Sequence, residues 1–117
     1  MRDHTSLIAW QVAQHLAVEV YKIATVRWRP VARAAFDQLG RASLSVQLNI
    51  AEGYVWLPRA RWAYHLRVAL GSAVETTDLI RFLLKVGVIS DDEGKVLESE
   101  SRRAQSLILA LLRKAEQ

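Results

Sequence analysis

No cysteine occurs in the chain. Disulfide staples, thiolate zinc sites and thiol nucleophiles are therefore all unavailable, and the absence suits a reducing cytoplasm. Proline and glycine are almost as scarce, with two and five residues, and they sit where a helical chain would break. No run approaches the ~18 apolar residues of a membrane span, and the stretch AQSLILALL at 104–112 is too short. Met1–His4 lead into a short apolar segment interrupted by Gln11, Gln14 and His15. No small-residue cleavage site follows, so no signal peptide is expected. No segment alternates apolar and polar residues for long enough to make a strand. The expectation is a soluble, cytoplasmic, all-α protein with no membrane partner.

Acids are missing from the middle of the chain. Residues 27–67 hold seven arginines (27, 29, 33, 41, 59, 61, 67) against Asp37 and Glu52, whereas 91–100 hold five acids against Lys95. A basic middle beside an acidic segment favours contact with a polyanion or an acidic protein surface, or else forms a solvated helix face. With 51% apolar and 24% charged residues over 117 positions, the chain suits one globular domain able to bury a core without staples.

Apolar residues at three- and four-residue steps define four helices, expected at about 6–26, 31–53, 59–86 and 91–115. Thr5 and Ser6 can cap the first, whose seam is Leu7, Trp10, Ala13, Leu16, Val20 and Ile23. Pro30 suits the first turn of the second, whose seam is Ala32, Phe36, Leu39, Ser43, Val46 and Ile50 and whose expected stop is Gly53. The third carries Trp62, Leu66, Ala69, Ala73, Thr76, Ile80 and Leu83, and Gly87 ends it. Ser90 with Glu93 reads as a capping box for the fourth, reinforced by Asp91 and Asp92; its seam is Leu97, Ala104, Leu107, Leu111 and Ala115. Short connections between amphipathic helices predict an antiparallel up-down-up-down bundle spanning 1–117 as a single domain. If helices 2 and 3 turn about Leu57, Gly71 faces Ser43 in a close approach, His65 lies near Asn49 and Trp62 near Glu52. Asn49 and Glu52 are then expected to be partly buried and hydrogen-bonded, and Gly71→Leu to force the two helices apart.

The run QLGRASLSVQLNIAEG (38–53), followed eighteen residues after Gly53 by GSAVE (71–75), resembles the four-helix-bundle proteins encoded by intervening sequences in 23S ribosomal RNA genes. Trp10, Ala13, Leu16 and Tyr21 agree in spacing, and the resemblance covers about Leu7 to Leu112. It implies a homo-oligomeric ring, typically a pentamer. Related bundles include the accessory protein of diversity-generating retroelements, a basic pentamer that binds nucleic acid and a reverse transcriptase. In that family Asn49, Glu52, Gly53, Gly71, Ser72 and Glu75 form the shared motif, read here as structural. The chain departs from the family at Gln47, usually proline, and at Trp28-Arg29-Pro30, usually Phe-Pro. It departs again at the corner after Gly53, which is usually polar and basic but here reads Val55-Trp56-Leu57-Pro58.

No glutamate precedes a histidine by three residues, as di-iron bundles require, and His15 with Glu19 supplies only two ligands. No phosphate-cradling glycine loop or Ser/His/Asp arrangement occurs, so no catalytic residue, metal or cofactor is expected. Arginine suits phosphate because its planar fork donates two hydrogen bonds. Arg59, Arg67, Arg81 and Lys85 fall along one stripe of helix 3, Arg33 and Arg41 along another of helix 2, and Arg61 lies just past the corner. No base-reading module is present. The expected function is a non-enzymatic oligomer that binds RNA or DNA without sequence preference, or binds a reverse transcriptase or other nucleoprotein. The alternative is a protein-only scaffold. Val55, Trp56 and Leu57 are expected to meet a neighbouring subunit or a partner.

Overall fold

Helix α1 (Ile8–Arg27) reaches α2 (Arg33–Val55) through Trp28, Arg29 and a 3-10 turn at Pro30–Ala32. Helix α3 (Arg59–Lys85) reaches α4 (Asp91–Ala115) through a turn at 86–90. The computed structural model describes residues 3–55 and 59–117, apart from the side chain of Arg59. Each helix packs on two neighbours, α2 on α1 and α3, and α4 on α3 and α1. With short connections, consecutive helices are antiparallel and close a four-helix bundle. Among the described residues there is no strand. The bundle is 44 Å long and 20 Å across in both other directions, a length that the 27-residue α3 nearly spans by itself at 1.5 Å per residue.

All seven seam residues of α3, from Trp62 to Leu83, are buried. The interior divides into two apolar clusters. One gathers Val46, Ile50, Trp62, Leu66 and Ile108; the other gathers Leu16, Val20, Phe36, Leu39, Ile80 and Leu97. Between them along the helices sit four buried hydroxyls, Ser43, Thr76, Thr77 and Ser101. Each is satisfied. Ser43 donates to the Gly40 carbonyl at 3.2 Å, Thr76 to the Ser72 carbonyl at 2.7 Å, and Ser101 to the Ala73 carbonyl at 3.2 Å. Thr77 and Ser101 also share a 2.6 Å hydrogen bond. Satisfaction matters because an orphaned buried donor costs about 1–3 kcal/mol.

The α3–α4 turn follows from its sequence. Gly87 adopts φ 76°, and it is the one residue at positive φ among those described. Its N–H donates to Leu84 and that of Val88 to Leu83, which caps the last carbonyls of α3 with the reciprocal pair of bonds typical of a glycine stop. Ser90 and Glu93 then cap each other at the start of α4.

Several expectations need correction. Thr5 and Ser6 do not cap α1. Asp3 accepts from the Thr5 amide and hydroxyl, Ser6 donates to the Asp3 carbonyl, and the resulting 3-10 turn (His4–Ser6) delivers Leu7 as an N-cap without a side-chain bond. On α4, Ile108 and Leu112 are buried while Leu107 and Leu111 are half-buried, so the inner face is rotated by about one residue from the expected seam. Gly53 does not stop α2, which continues to Val55. It is buried, and a Cβ added there would lie 2.6 Å from the His65 Cβ. Gly71, conversely, is exposed with nothing within 4 Å of where its Cβ would be. The close approach of α2 and α3 is therefore made at Gly53. Gly71 lies two residues off the Ala69–Ala73 seam, and that offset turns it outward.

Candidate nucleic-acid interface

Of the shared-motif residues, Asn49, Glu52, Gly53, Ser72 and Glu75 fall along the seam between α2 and α3, while Gly71 stands outside it. His65 and Asn49 are joined at 3.0 Å, as the antiparallel register requires. Asn49 spends its amide hydrogens on the Ser45 carbonyl and hydroxyl, at 2.9 and 3.1 Å, so its Oδ1 is the acceptor and His65 Nδ1 carries the proton. The Ser45 and Ser72 hydroxyls share a 2.8 Å bond. Farther along, the Gln38 amide donates to Glu75, and Arg41 donates to Gln38 at 2.9 Å. Glu52 departs from expectation. Its side chain is 57% exposed and stands 4.0 Å from His65 Nε2, an ion-pair distance and not a buried hydrogen bond.

This line is polar but assembles no nucleophile with a base. His65 touches an amide oxygen and no hydroxyl, and the two serines bond each other. At the α1–α4 seam, His15 is flanked by Glu100 at 3.2 Å and Glu19 at 3.6 Å. No group of three or more His, Asp or Glu side chains among the described residues is placed to hold a metal ion.

The arginines divide by bundle end. Arg33, Arg41 and Arg81 belong to the half that contains the α3–α4 turn, and each faces a partner in the chain. Arg33 is 3.8 Å from Asp37, and Arg81 donates to Glu98 at 2.7 Å. That hydrogen bond, followed by the charge of Arg81, holds the Glu98 carboxyl below the usual range. Arg61 and Arg67 lie in the first turns of α3, at the opposite end. The side chain of Arg59 and residues Trp56 and Leu57 lie outside the described residues; Val55 ends α2 half-buried.

That opposite end holds two cations the sequence reading passed over, Arg113 and Lys114 in the last turn of α4. Arg67 donates to Glu116 at 2.9 Å, and Ala63 and Leu66 share a core cluster with Leu112 and Ala115. The start of α3 and the end of α4 are thereby side by side. Arg61, Arg67, Arg113 and Lys114 gather there, with Arg59 in the same turn of chain, against Glu52 and Glu116. The signal was available: in an antiparallel bundle the fourth helix must finish beside the start of the third.

Residues 5–110 match the family model described as 23S rRNA-intervening sequence protein. No curated protein matches the chain. Among solved structures, a protein of unknown function from the S23 ribosomal protein family of Bacteroides thetaiotaomicron superposes with a TM-score of 0.80 at 21% identity, covering 90% of this chain and 98% of that one. At that identity the likeness speaks for the fold.

Proposed function

The chain belongs to the 23S rRNA-intervening sequence protein family, and from that premise we propose that it is a non-enzymatic, homo-oligomeric accessory protein of the cytoplasm that binds the backbone of RNA or DNA through the basic end of the bundle. The carrying observation is the convergence of Arg61, Arg67, Arg113 and Lys114 from two helix ends far apart in sequence. Arg33, Arg41 and Arg81 are secondary in this reading, because they belong to the other half of the bundle, away from this cluster. A nucleoprotein such as a reverse transcriptase with its template would meet the same surface. No base-reading module occurs among the described residues at this end, so recognition in this reading follows charge and shape.

The test is binding of duplex DNA and of structured RNA as a function of salt. Each phosphate neutralised contributes about −0.9 to the log–log slope on duplex DNA. Replacing Arg61, Arg113 and Lys114 together by alanine is expected to weaken every sequence alike and to flatten the slope. The Arg33→Ala/Arg81→Ala pair should change it far less. No retention of either nucleic acid at ~50 mM salt, where such contacts are strongest, overturns the reading and leaves the protein-only scaffold.

A further inference from the structure

The end of the bundle away from Arg61 and Arg113 holds a cleft that packing leaves open. Tyr21, Ala24 and Trp28 follow one face of α1 at steps of three and four residues. Tyr21 and Trp28 are 49% and 50% exposed, and they stand two turns apart, about 10 Å along the helix. The small Ala24 between them fills little of that gap. Across the seam α2 presents Gly40, where a Cβ would press on the Tyr21 hydroxyl at 3.2 Å. The cleft between these residues measures about 310 Å³, and the buried side chains of Val20 and Phe36 line it from inside.

Aromatic walls over an apolar lining suit a flat ring. Among the described residues neither Tyr21 nor Trp28 meets another aromatic ring, so both keep faces for stacking. The rim is charged, because Asp37 and Arg41, one turn apart on α2, line the same cleft. Arg41 donates to Gln38 at 2.9 Å and keeps the other N–H groups of its fork. Asp37 has Arg33 at 3.8 Å and is itself half exposed. A ring with N–H groups on its edge answers Asp37, and an anion attached to that ring answers Arg41. A plain hydrocarbon would leave both charges beside an apolar neighbour, and a cation would meet Arg41. An unpaired nucleotide offers ring, donor edge and phosphate together. Arg29, exposed next to Trp28, and Arg33 add cations for the strand on either side.

We propose that this cleft takes one unpaired nucleotide, with the base between Tyr21 and Trp28, its edge on Asp37 and its phosphate on Arg41. Guanine is the favoured base, because its neighbouring N1–H and N2–H groups match the two oxygens of a carboxylate. The site is separate from the basic end and differs from it in kind. It selects single strands, since a base inside a duplex has its faces stacked and its edge paired.

Replacing Arg61, Arg113 and Lys114 by alanine isolates this site from the basic end. Binding of that variant to a short labelled thymidine strand, with or without one central guanine, is read by fluorescence anisotropy, and its fold by circular dichroism. The guanine strand is expected to bind about fivefold or more tighter, the scale of a paired set of edge hydrogen bonds. Adding Trp28→Ala, at an exposed side chain, should keep the helical content and weaken both strands about tenfold, as loss of one stacking ring does. Trp28→Phe should recover most of that loss. Asp37→Asn should remove the preference for guanine without weakening the all-thymidine strand. Guanosine monophosphate as competitor separates the two sources of the ligand: weak competition assigns the cleft to a strand, and competition at the strand's own affinity assigns it to a free nucleotide. Absence of single-strand binding in the isolating variant, or binding that survives Trp28→Ala in full, overturns the cleft and leaves the basic end untouched. An unaltered chain that holds the guanine strand but no duplex overturns the basic end alone.

Discussion

At the scale of single residues, two glycines of one family motif do opposite things. Gly53 is needed for space. The Cβ of an alanine there would stand 2.6 Å from the His65 Cβ, which is too close for any real contact, and Trp62 crowds the same site at 3.4 Å. Gly53→Ala is therefore expected to destabilise the subunit by roughly 1–3 kcal/mol or more, the scale of overpacking, with the denaturant midpoint as the measurement. Gly71→Ala meets nothing within 4 Å and recovers helix propensity. In dilute, dissociated protein it should stabilise by up to about 1 kcal/mol. If both alanines shift the midpoint the same way, the assignment of roles is wrong. His65 is the neighbour that makes Gly53 irreplaceable, and its ring is held in turn by Asn49.

Among the elements, α4 has the most fully specified start. Ser90 accepts from the Glu93 amide at 3.1 Å while Glu93 accepts from the Ser90 amide at 2.8 Å. Arg27, in the last turn of α1, donates to both oxygens of the same carboxylate at 3.1 Å. Glu93 thus caps its own helix and ties α1 to α4. The Ser90 amide, and after it Arg27, holds the Glu93 carboxyl below its ordinary range. A carboxylate whose folded value is depressed contributes stability that is full above its unfolded pKa, about 4.3. That contribution is lost as pH falls through the lower folded value. Glu93→Gln should accordingly flatten the acid side of the stability–pH curve below about pH 4.3 and leave the shape of the neutral region unchanged. Ser90→Ala should cost about 0.5–2 kcal/mol, as lost N-caps do, read by thermal or urea unfolding at neutral pH. An acid limb equally steep in Glu93→Gln would place the acid sensitivity elsewhere.

For the molecule as a whole, the two apolar clusters share all four helices, so neither end can open without loosening the other. The hydroxyl layer between them is bonded within and across helices and transmits no slack. One cooperative transition is expected. Ile108→Ala in one cluster and Leu97→Ala in the other, both fully buried, should each lower it by about 2–5 kcal/mol. Two resolved transitions in either variant, by circular dichroism and tryptophan fluorescence together, would mean that the ends fold separately.

Periodicity, caps and breaks settle the element order before any coordinates, because those signals are local. Gly87 stops α3, Ser90 starts α4, and the α3 seam is buried as its spacing requires. The His65–Asn49 contact was legible too, since an antiparallel hairpin of known turn position relates residues by a constant sum. Rotation about the helix axis was not legible at the same precision. A turn of one or two residues, set by how all four seams mesh, put Gly71 outside, Gly53 inside, and Ile108 in place of Leu107. The basic end was hidden for a related reason. Arg113 and Lys114 are ordinary last-turn cations in sequence, and only the closure of α4 against α3 brings them beside Arg61 and Arg67. Local chemistry determined which helices form; which faces they turn to solvent, and therefore which charges and apolar residues stand together, was decided by packing among all four.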